Sequence, residues 1–245
     1  MMRVLTLFSV FLMIVAIGFS AQSAHATVVF TASGTSAKGV DVTFGAQLTI
    51  SDDILTVILT NDSPVDSLNP DDVLGSFYFD ILNGSGIRPT LTYSSAIGDT
   101  YKGVKNGADI LLEAGVDLQA FVVNDDSWQF KNFDAAFNPF LGFGIGTVGN
   151  SNLSPNGFNG NVVDGVDFAI YKGDITTQSL VNPDQLVKDI AIFTFTGLTG
   201  FMEADIEPSF AFGLGTAPDS LLIPEPATIC LLGLGALALL RKRRA

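Results

Sequence analysis

The sequence predicts an all-β body, an antiparallel β-sandwich or jelly roll, flanked by an N-terminal signal helix and a short C-terminal transmembrane helix. Short apolar or alternating segments rich in Val, Ile, Thr, Phe and Tyr recur along the body, as strands prefer. Turn-forming residues separate these segments, and no long stretch of the body has the apolar period of a helix. Because strands do not alternate with helices, the pattern favours antiparallel pairing over a parallel sheet.

Eleven segments have the strand pattern, at residues 28–32, 40–44, 47–50, 54–60, 75–82, 90–93, 118–123, 128–133, 166–172, 190–196 and 209–214. In the fourth of them, Leu55, Val57 and Leu59 share one face. Thr56 and Thr60 lie on the opposite face, so this strand is predicted to bury one side only.

The connections between the strands are predicted from their turn residues. Ser51, Asp52 and Asp53 separate two strand segments and indicate a hairpin. Residues 142–165 are rich in Gly and Asn, which tolerate positive φ, and are predicted to form a long ordered loop. Residues 183–188 are predicted to form one short helical turn.

The N-terminus has the three parts of a secretory signal peptide. Arg3 supplies the basic start, and an apolar run follows over residues 4–19. The segment closes on Ala24, His25 and Ala26, an A-x-A site whose small residues suit signal peptidase. We therefore predict a signal peptide over residues 1–26, removed after Ala26.

The C-terminus repeats this logic in reverse. After Pro224, Glu225 and Pro226, an apolar stretch covers residues 227–240. As a helix it would rise about 21 Å, less than the roughly 30 Å of a bilayer core. A final cluster of cations is predicted to hold the tail on the cytoplasmic side of the inner membrane, with the body outside, by the positive-inside rule. That cluster is Arg241, Lys242, Arg243 and Arg244.

This C-terminal segment resembles the PEP-CTERM sorting signal, since a Pro-Glu-Pro motif, a short apolar helix and a basic cluster occur in that order. Ile223 before the motif and Ala227 and Thr228 after it also fit the family's wording. The resemblance implies processing by an exosortase, a membrane-embedded cysteine protease or transpeptidase of Gram-negative bacteria that make extracellular polysaccharide. Residues 55–61 and 72–80 resemble a group of exosortase-dependent surface proteins with β-rich bodies.

Three parts of the chain follow: the signal peptide at 1–26, an exported β-sandwich domain at 27–222 and the sorting signal at 223–245. The whole chain has a net charge of −13, with twelve cations and twenty-five acids. Five of those cations and one of those acids lie in the terminal segments, which leaves the body with seven cations, twenty-four acids and a charge of −17. Such acidity argues against binding of nucleic acid or anionic lipid.

The body also lacks two residue types that catalysis and cross-linking often use. His25 leaves with the signal peptide, and Cys230 lies in the C-terminal helix; each is the single residue of its type in the sequence. Zinc sites of His and Cys, cysteine nucleophiles, Ser-His-Asp triads and disulfides are therefore excluded from the body.

Asp164 and Asp167 are the candidate ligands of a calcium site. They follow a loop that contains Asn156, Asn159 and Asn161, and carboxylates with amide and backbone oxygens are the ligands that Ca²⁺ prefers. Their spacing does not match an EF-hand loop or a Gly-rich calcium repeat. The other interpretation is that these residues only form turns. No other cofactor is expected.

Enzyme activity is not expected either. Glu113, Glu203 and Glu207 flank predicted strands and could serve as acid and base in glycoside hydrolysis, but no pattern brings two of them together. Trp128 alternates with Phe130, which indicates core packing. A sugar-binding protein would instead expose a row of aromatic residues, drawn from Trp128, Tyr78, Tyr93, Tyr101 and Tyr171.

Two functional hypotheses follow. In the first, the chain is a non-enzymatic protein of the cell surface or extracellular matrix, exported, cut by signal peptidase and exosortase, and associated with extracellular polysaccharide or biofilm. In the alternative, it is a carbohydrate-binding module or weak glycan-active protein with a calcium-supported loop. The polysaccharide in the first hypothesis is implied by the sorting-signal resemblance.

Overall fold

The computed structural model describes residues 26–104, 107–119, 128–133, 142–147, 166–175, 185–215 and 221–222. These residues are mostly β-strand, with two short 3₁₀ turns at Pro70–Asp72 and Glu203–Asp205, so the all-β class is confirmed. The strands are β1 Val28–Thr35, β2 Asp41–Ser51, β3 Ile54–Asn61, β4 Leu74–Ile81, β5 Thr92–Lys102, β6 Ile110–Asp117, β7 Gln129–Asn132, β8 Phe143–Gly146, β9 Ile170–Tyr171, β10 Leu186–Thr196, β11 Ile206–Leu214 and β12 Leu221–Leu222.

The strands form two antiparallel groups. In the first group the order is β1, β2, β3, β10, β5, β6, and each neighbouring pair is antiparallel. In the second group the order is β7, β8, β4, β11, β12, again antiparallel throughout. The short strand β9 joins the groups, because it pairs with β10 in parallel and with β4 in antiparallel orientation.

Aromatic side chains from both groups pack together in one core. The Phe30 ring on β1 stacks on Phe210 of β11, with centroids 4.4 Å apart. At the other end of the core, Phe130 of β7 lies 4.7 Å from Phe195 of β10. Such aromatic pairs add about 0.5–1.5 kcal/mol beyond the burial of their area. The inward face of each group is therefore fixed by contact with the other.

The hairpin between β2 and β3 is confirmed at Asp52 and Asp53. Both residues have positive φ, 49° and 66°, which is the backbone of a two-residue type I′ turn. Aspartate is among the residues that tolerate this region best. Asp53 also accepts a hydrogen bond from the Thr199 hydroxyl at 3.1 Å, which ties the turn to the chain after β10.

Five sequence predictions about secondary structure need correction. The segment predicted as a strand at 166–172 is strand only at Ile170–Tyr171, because a turn occupies residues 167–168. Segments 40–44 and 47–50 form one strand, β2, because Gly45 continues the ladder opposite Thr60. Residues 143–146 are strand β8, within the segment predicted as a loop. The helical turn predicted at 183–188 is wrong from Leu186 onward, where β10 begins. In the segment predicted as a strand at 118–123, Leu118 and Gln119 form a turn, and the remainder lies outside the described residues.

Strand β6 was not predicted from the sequence. Its residues are exposed except for Val116, so it shows no alternation of buried and polar positions. In the described part of the chain, no helix is long and apolar enough to cross a membrane. The helices predicted for the signal peptide and the sorting segment fall on residues 1–25 and 223–245, outside the described residues.

Candidate binding face and sorting segment

The first strand group presents one broad side to solvent, and the central part of that side is here called the outer face. In β3, Leu55, Val57 and Leu59 are fully buried, whereas Thr56 and Thr60 are half-buried on the other side, as the alternation predicts. Residues of the neighbouring strands that pair with the solvent-facing residues of β3 point to the same side of the sheet. The outer face consists of Thr27, Val29, Thr31, Gln47, Thr49, Ile54, Thr56, Ile58, Thr60, Ser95, Ile97, Ile190, Ile192, Thr194 and Thr196.

A row of hydroxyl groups crosses this face from β1 to β5. Thr49 stands opposite Thr56, Thr56 opposite Thr194, and Thr194 opposite Ser95. The Thr27 and Thr49 hydroxyl oxygens are 3.1 Å apart, and those of Ser95 and Thr194 are 2.5 Å apart. Because neighbouring strands lie about 4.8 Å apart, the row spans about 19 Å. We call it the hydroxyl row.

An aliphatic row lies beside the hydroxyl row. It consists of Val29, Ile58, Ile192 and Ile97, and the polar Gln47 on β2 lies between Val29 and Ile58. Val29, Ile97 and Ile192 are 59%, 45% and 38% exposed. Contiguous exposed aliphatic residues make this row a candidate contact surface.

The outer face is uncharged, although the body as a whole is strongly acidic. None of its fifteen residues is Asp, Glu, Lys or Arg. Carboxylates surround it: Asp41 on β2 and Asp99 on β5 are exposed on the same side of the sheet, and Asp117 stands opposite Ile97. Asp62 accepts a hydrogen bond from the Thr60 hydroxyl at 2.7 Å. Such a surface offers hydrogen bonds and van der Waals contact without an acid, base or nucleophile pair. It can form such contacts with another molecule.

The aromatic residues considered as sugar platforms are mostly in the core. Trp128 is 1% exposed, and its indole Nε1 donates a 2.8 Å hydrogen bond to the Phe168 carbonyl. Tyr78 and Tyr171 are buried as well, and Tyr93 and Tyr101 are half-buried. Core packing of Trp128 is therefore confirmed, and these five residues form no solvent-facing strip.

Replacing Trp128 with Phe should lower the free energy of unfolding by about 2 kcal/mol, because a buried hydrogen bond is lost together with part of the ring volume. Urea unfolding measures this change. Tyr93→Phe is the matched control: the Tyr93 hydroxyl donates to the Trp128 carbonyl at 3.2 Å, and burial raises the pKa of this tyrosine, so the hydroxyl stays protonated. The control should cost less, and equal losses would contradict the assignment.

The carboxylates singled out from the sequence lie on separate elements. Glu113 is on β6, Glu203 in the second 3₁₀ turn and Glu207 on β11. Asp167 lies in a turn before β9, where its backbone carbonyl accepts a 2.8 Å hydrogen bond from Thr147. Asp164 lies outside the described residues. Within the described ranges no group of three or more His, Cys, Asp or Glu could hold a metal ion, and the calcium site stays a prediction.

Sequence reasoning did not single out the outer face. The signal was present in part, since Thr56 and Thr60 were placed opposite the apolar side of their strand. What it lacked was the pairing register, because Ser95 and Thr194 are 99 positions apart in the sequence and meet only across β5 and β10.

Comparison with known proteins gives one informative result. The family model for the PEP-CTERM protein-sorting motif matches residues 222–244, which include Pro224, Glu225 and Pro226 and the four terminal cations. No curated protein matches the chain. The crystal structure of the KRT10-binding region domain of the pneumococcal serine rich repeat protein PsrP aligns with 78% of this chain and 85% of that domain, at 15% identity and a TM-score of 0.26. So low a TM-score carries no inference about fold or function.

The resemblance seen in the sequence is thereby confirmed for the C-terminal segment, at nearly the predicted bounds of 223–245. The motif implies that the protein is exported and then sorted by an exosortase to the cell surface. This chain carries a PEP-CTERM protein-sorting motif at residues 222–244.

Proposed function

We propose that the protein is a non-enzymatic component of the surface or extracellular matrix of a Gram-negative bacterium, a β-sandwich whose outer face contacts a neutral extracellular polysaccharide of the biofilm. The observation that carries this proposal is the uncharged outer face on an otherwise acidic body. The sorting motif supplies the location, and the outer face supplies a means of contact.

Charge restricts the partner. A body with a charge of −17 repels anionic polymers, and its outer face offers no cation to bind them. A neutral polysaccharide presents hydroxyl groups and C–H faces, which match the hydroxyl row and the aliphatic row. Since the aromatic residues considered are buried or half-buried, we expect many weak contacts along a polymer rather than tight capture of one sugar.

The size of the outer face also favours a polymer over a second copy of the chain. Five strands about 4.8 Å apart, over six residues of strand, cover roughly 400 Å². A stable protein interface needs about 800 Å² on each partner. A polysaccharide strand is narrower and can bind on one row at a time.

The test is co-sedimentation of the purified full-length protein with the matrix polysaccharide of the producing bacterium. Replacing Ile192 with Glu places a charge in the aliphatic row, and we expect the fraction bound to fall at least tenfold. Ile87→Glu is the matched control, because Ile87 is also exposed, at 58%, but lies in the connection between β4 and β5. Equal binding by both variants would show that the outer face is not the contact surface. Absence of binding by the unmodified protein would show that the polysaccharide is not its partner.

The carbohydrate-binding module with a calcium-supported loop is the competing proposal. It requires a saturable site for a short oligosaccharide and a dependence on calcium. Binding of an oligosaccharide that a calcium chelator abolishes would favour it over contact along a polymer.

A further inference from the structure

A lysine with two aspartates beside it lies at the start of β10, away from the outer face. The ammonium nitrogen of Lys188 is 3.1 Å from Oδ1 of Asp174 and 3.4 Å from Oδ2 of Asp109. Asp109 is the residue directly before β6, and Asp174 follows β9. Three separate segments of the chain therefore bring one amine and two carboxyl groups together.

The two carboxylates differ in their surroundings. The Asp109 side chain is 1% exposed; its Oδ1 accepts a 2.9 Å hydrogen bond from the Ile175 amide, and its Oδ2 accepts one of 2.7 Å from the Tyr171 hydroxyl. The Asp174 side chain is 55% exposed. Asp109 is thus held in a fixed orientation with both oxygens bound, whereas Asp174 is in contact with solvent.

The lysine itself lies among aromatic rings. Its nitrogen is 5.3 Å from the centroid of the Tyr101 ring and 5.7 Å from that of Tyr171. Burial lowers the pKa of Lys188, but hydrogen bonds and charge attraction from Asp174 and Asp109 raise it by more, so the ammonium is the resting form. Burial and the bond to Asp109 raise the pKa of Tyr171, whose hydroxyl therefore stays a donor.

From this geometry we propose that Lys188 and Asp109 condense to form an intramolecular amide bond between Nζ and Cγ. Asp174 first takes a proton from the ammonium, and the free amine then attacks Cγ of Asp109. The Ile175 amide holds Oδ1, which becomes the amide oxygen, while the Tyr171 hydroxyl stabilises charge on Oδ2. A second proton from nitrogen and the one held by Asp174 leave with Oδ2 as water.

The balance of this step needs no oxidant, reductant or co-reactant. One ammonium and one carboxylate give one amide and one water, and Asp174 ends as it began. Two reacting groups held next to each other react much faster than the same groups free in solution, because the entropy cost of bringing them together has already been met by folding. The bond would join residues 79 positions apart in a body that contains no cysteine.

A second lysine–aspartate pair provides an internal comparison. Lys172 Nζ lies 3.1 Å from Asp189 Oδ1, but the two side chains are 35% and 46% exposed. This pair lacks the fixed, buried acceptor that Asp109 provides. We expect it to remain an ordinary ion pair.

Mass spectrometry of the full-length protein tests the proposal directly. We expect an intact mass lower by one water than the sequence requires, and a branched tryptic peptide that joins residues 106–131 to the peptide beginning at Gly173. Trypsin should fail to cleave after Lys188, because an amide nitrogen is not recognised as a lysine. A full-mass chain that is cleaved after Lys188 would overturn the proposal.

Three variants fix the residues involved. Lys188→Arg keeps the charge but removes the nucleophile, and should restore the missing water. Asp109→Asn should still give the branched peptide, with ammonia lost in place of water. Lys172→Arg should leave the mass deficit unchanged. A deficit that survives Lys188→Arg, or that vanishes in Lys172→Arg alone, would contradict the assignment; if a variant does not fold, the peptide map of the unmodified protein decides.

Discussion

Replacing Arg88 with Met should destabilise the protein by about 3 kcal/mol, because it leaves the buried carboxylate of Asp80 without its counter-charge. The guanidinium of Arg88 grips Asp80 with two bonds, from Nε to Oδ1 at 2.7 Å and from the terminal nitrogen to Oδ2 at 2.6 Å. Asp80 is 2% exposed, whereas Arg88 keeps 30% of its side chain in solvent. Hydrogen bonding to Asp80 raises the pKa of Arg88, so the guanidinium stays charged.

Urea unfolding measures the loss, and two further variants make the result specific. Asp80→Leu combined with Arg88→Met should recover much of the stability, since replacing both members of a buried ion pair by apolar groups costs little. Lys38→Met, in the exposed β1–β2 turn, should change stability by less than about 0.5 kcal/mol. An Arg88→Met protein as stable as the Lys38→Met control would show that the Asp80 carboxylate does not depend on Arg88.

Replacing Pro224, Glu225 and Pro226 with Ala should leave nearly all of the protein in the cell envelope with its tail intact. In the unaltered chain we expect exosortase to remove the cations Arg241 and Lys242 together with the rest of the tail. The expected contrast is close to all-or-none, because recognition depends on the motif. Cell fractionation followed by intact mass measurement reads both location and length.

Ser220→Ala, just before the matched segment, is the control and should be processed normally. The same two measurements in a strain without exosortase should reproduce the motif variant. If the altered motif is processed like the original, the tail is a plain anchor and the surface location loses its main support. If the unaltered chain keeps its tail in a strain with exosortase, the same conclusion follows.

Much of the strand content could be predicted from local pattern, because apolar and polar residues alternate along a strand that buries only one side. β3 is the clearest case, since each of its apolar residues at 55, 57 and 59 is fully buried. β6 and β8 could not be predicted this way. In β6 every residue except Val116 is exposed, and in β8 glycine alternates with Phe143 and Ile145. Neither strand therefore shows the alternation of polar and apolar residues that indicates a half-buried strand.

The candidate sites also differ in whether a local pattern in the sequence could predict them. The sorting segment is contiguous, and its three features occur in order, so the sequence alone was sufficient to find it. The outer face and the Lys188 cluster depend on long-range pairing. Lys188 meets Asp109 only because β10 pairs with β5, and β5 in turn pairs with β6. No local pattern in the sequence carries that information.

The short strand β12 has a consequence for the geometry of processing. It pairs with β11 through Leu221 and Leu222, and the sorting motif begins at that second residue. Ile223 alone separates Leu222 from Pro224, and two Cα–Cα steps span at most about 7 Å. The tether is thus shorter than the width of a helix. A membrane enzyme that cuts near Pro224 must therefore act next to the folded body, unless β12 first separates from β11 and lengthens the connecting segment.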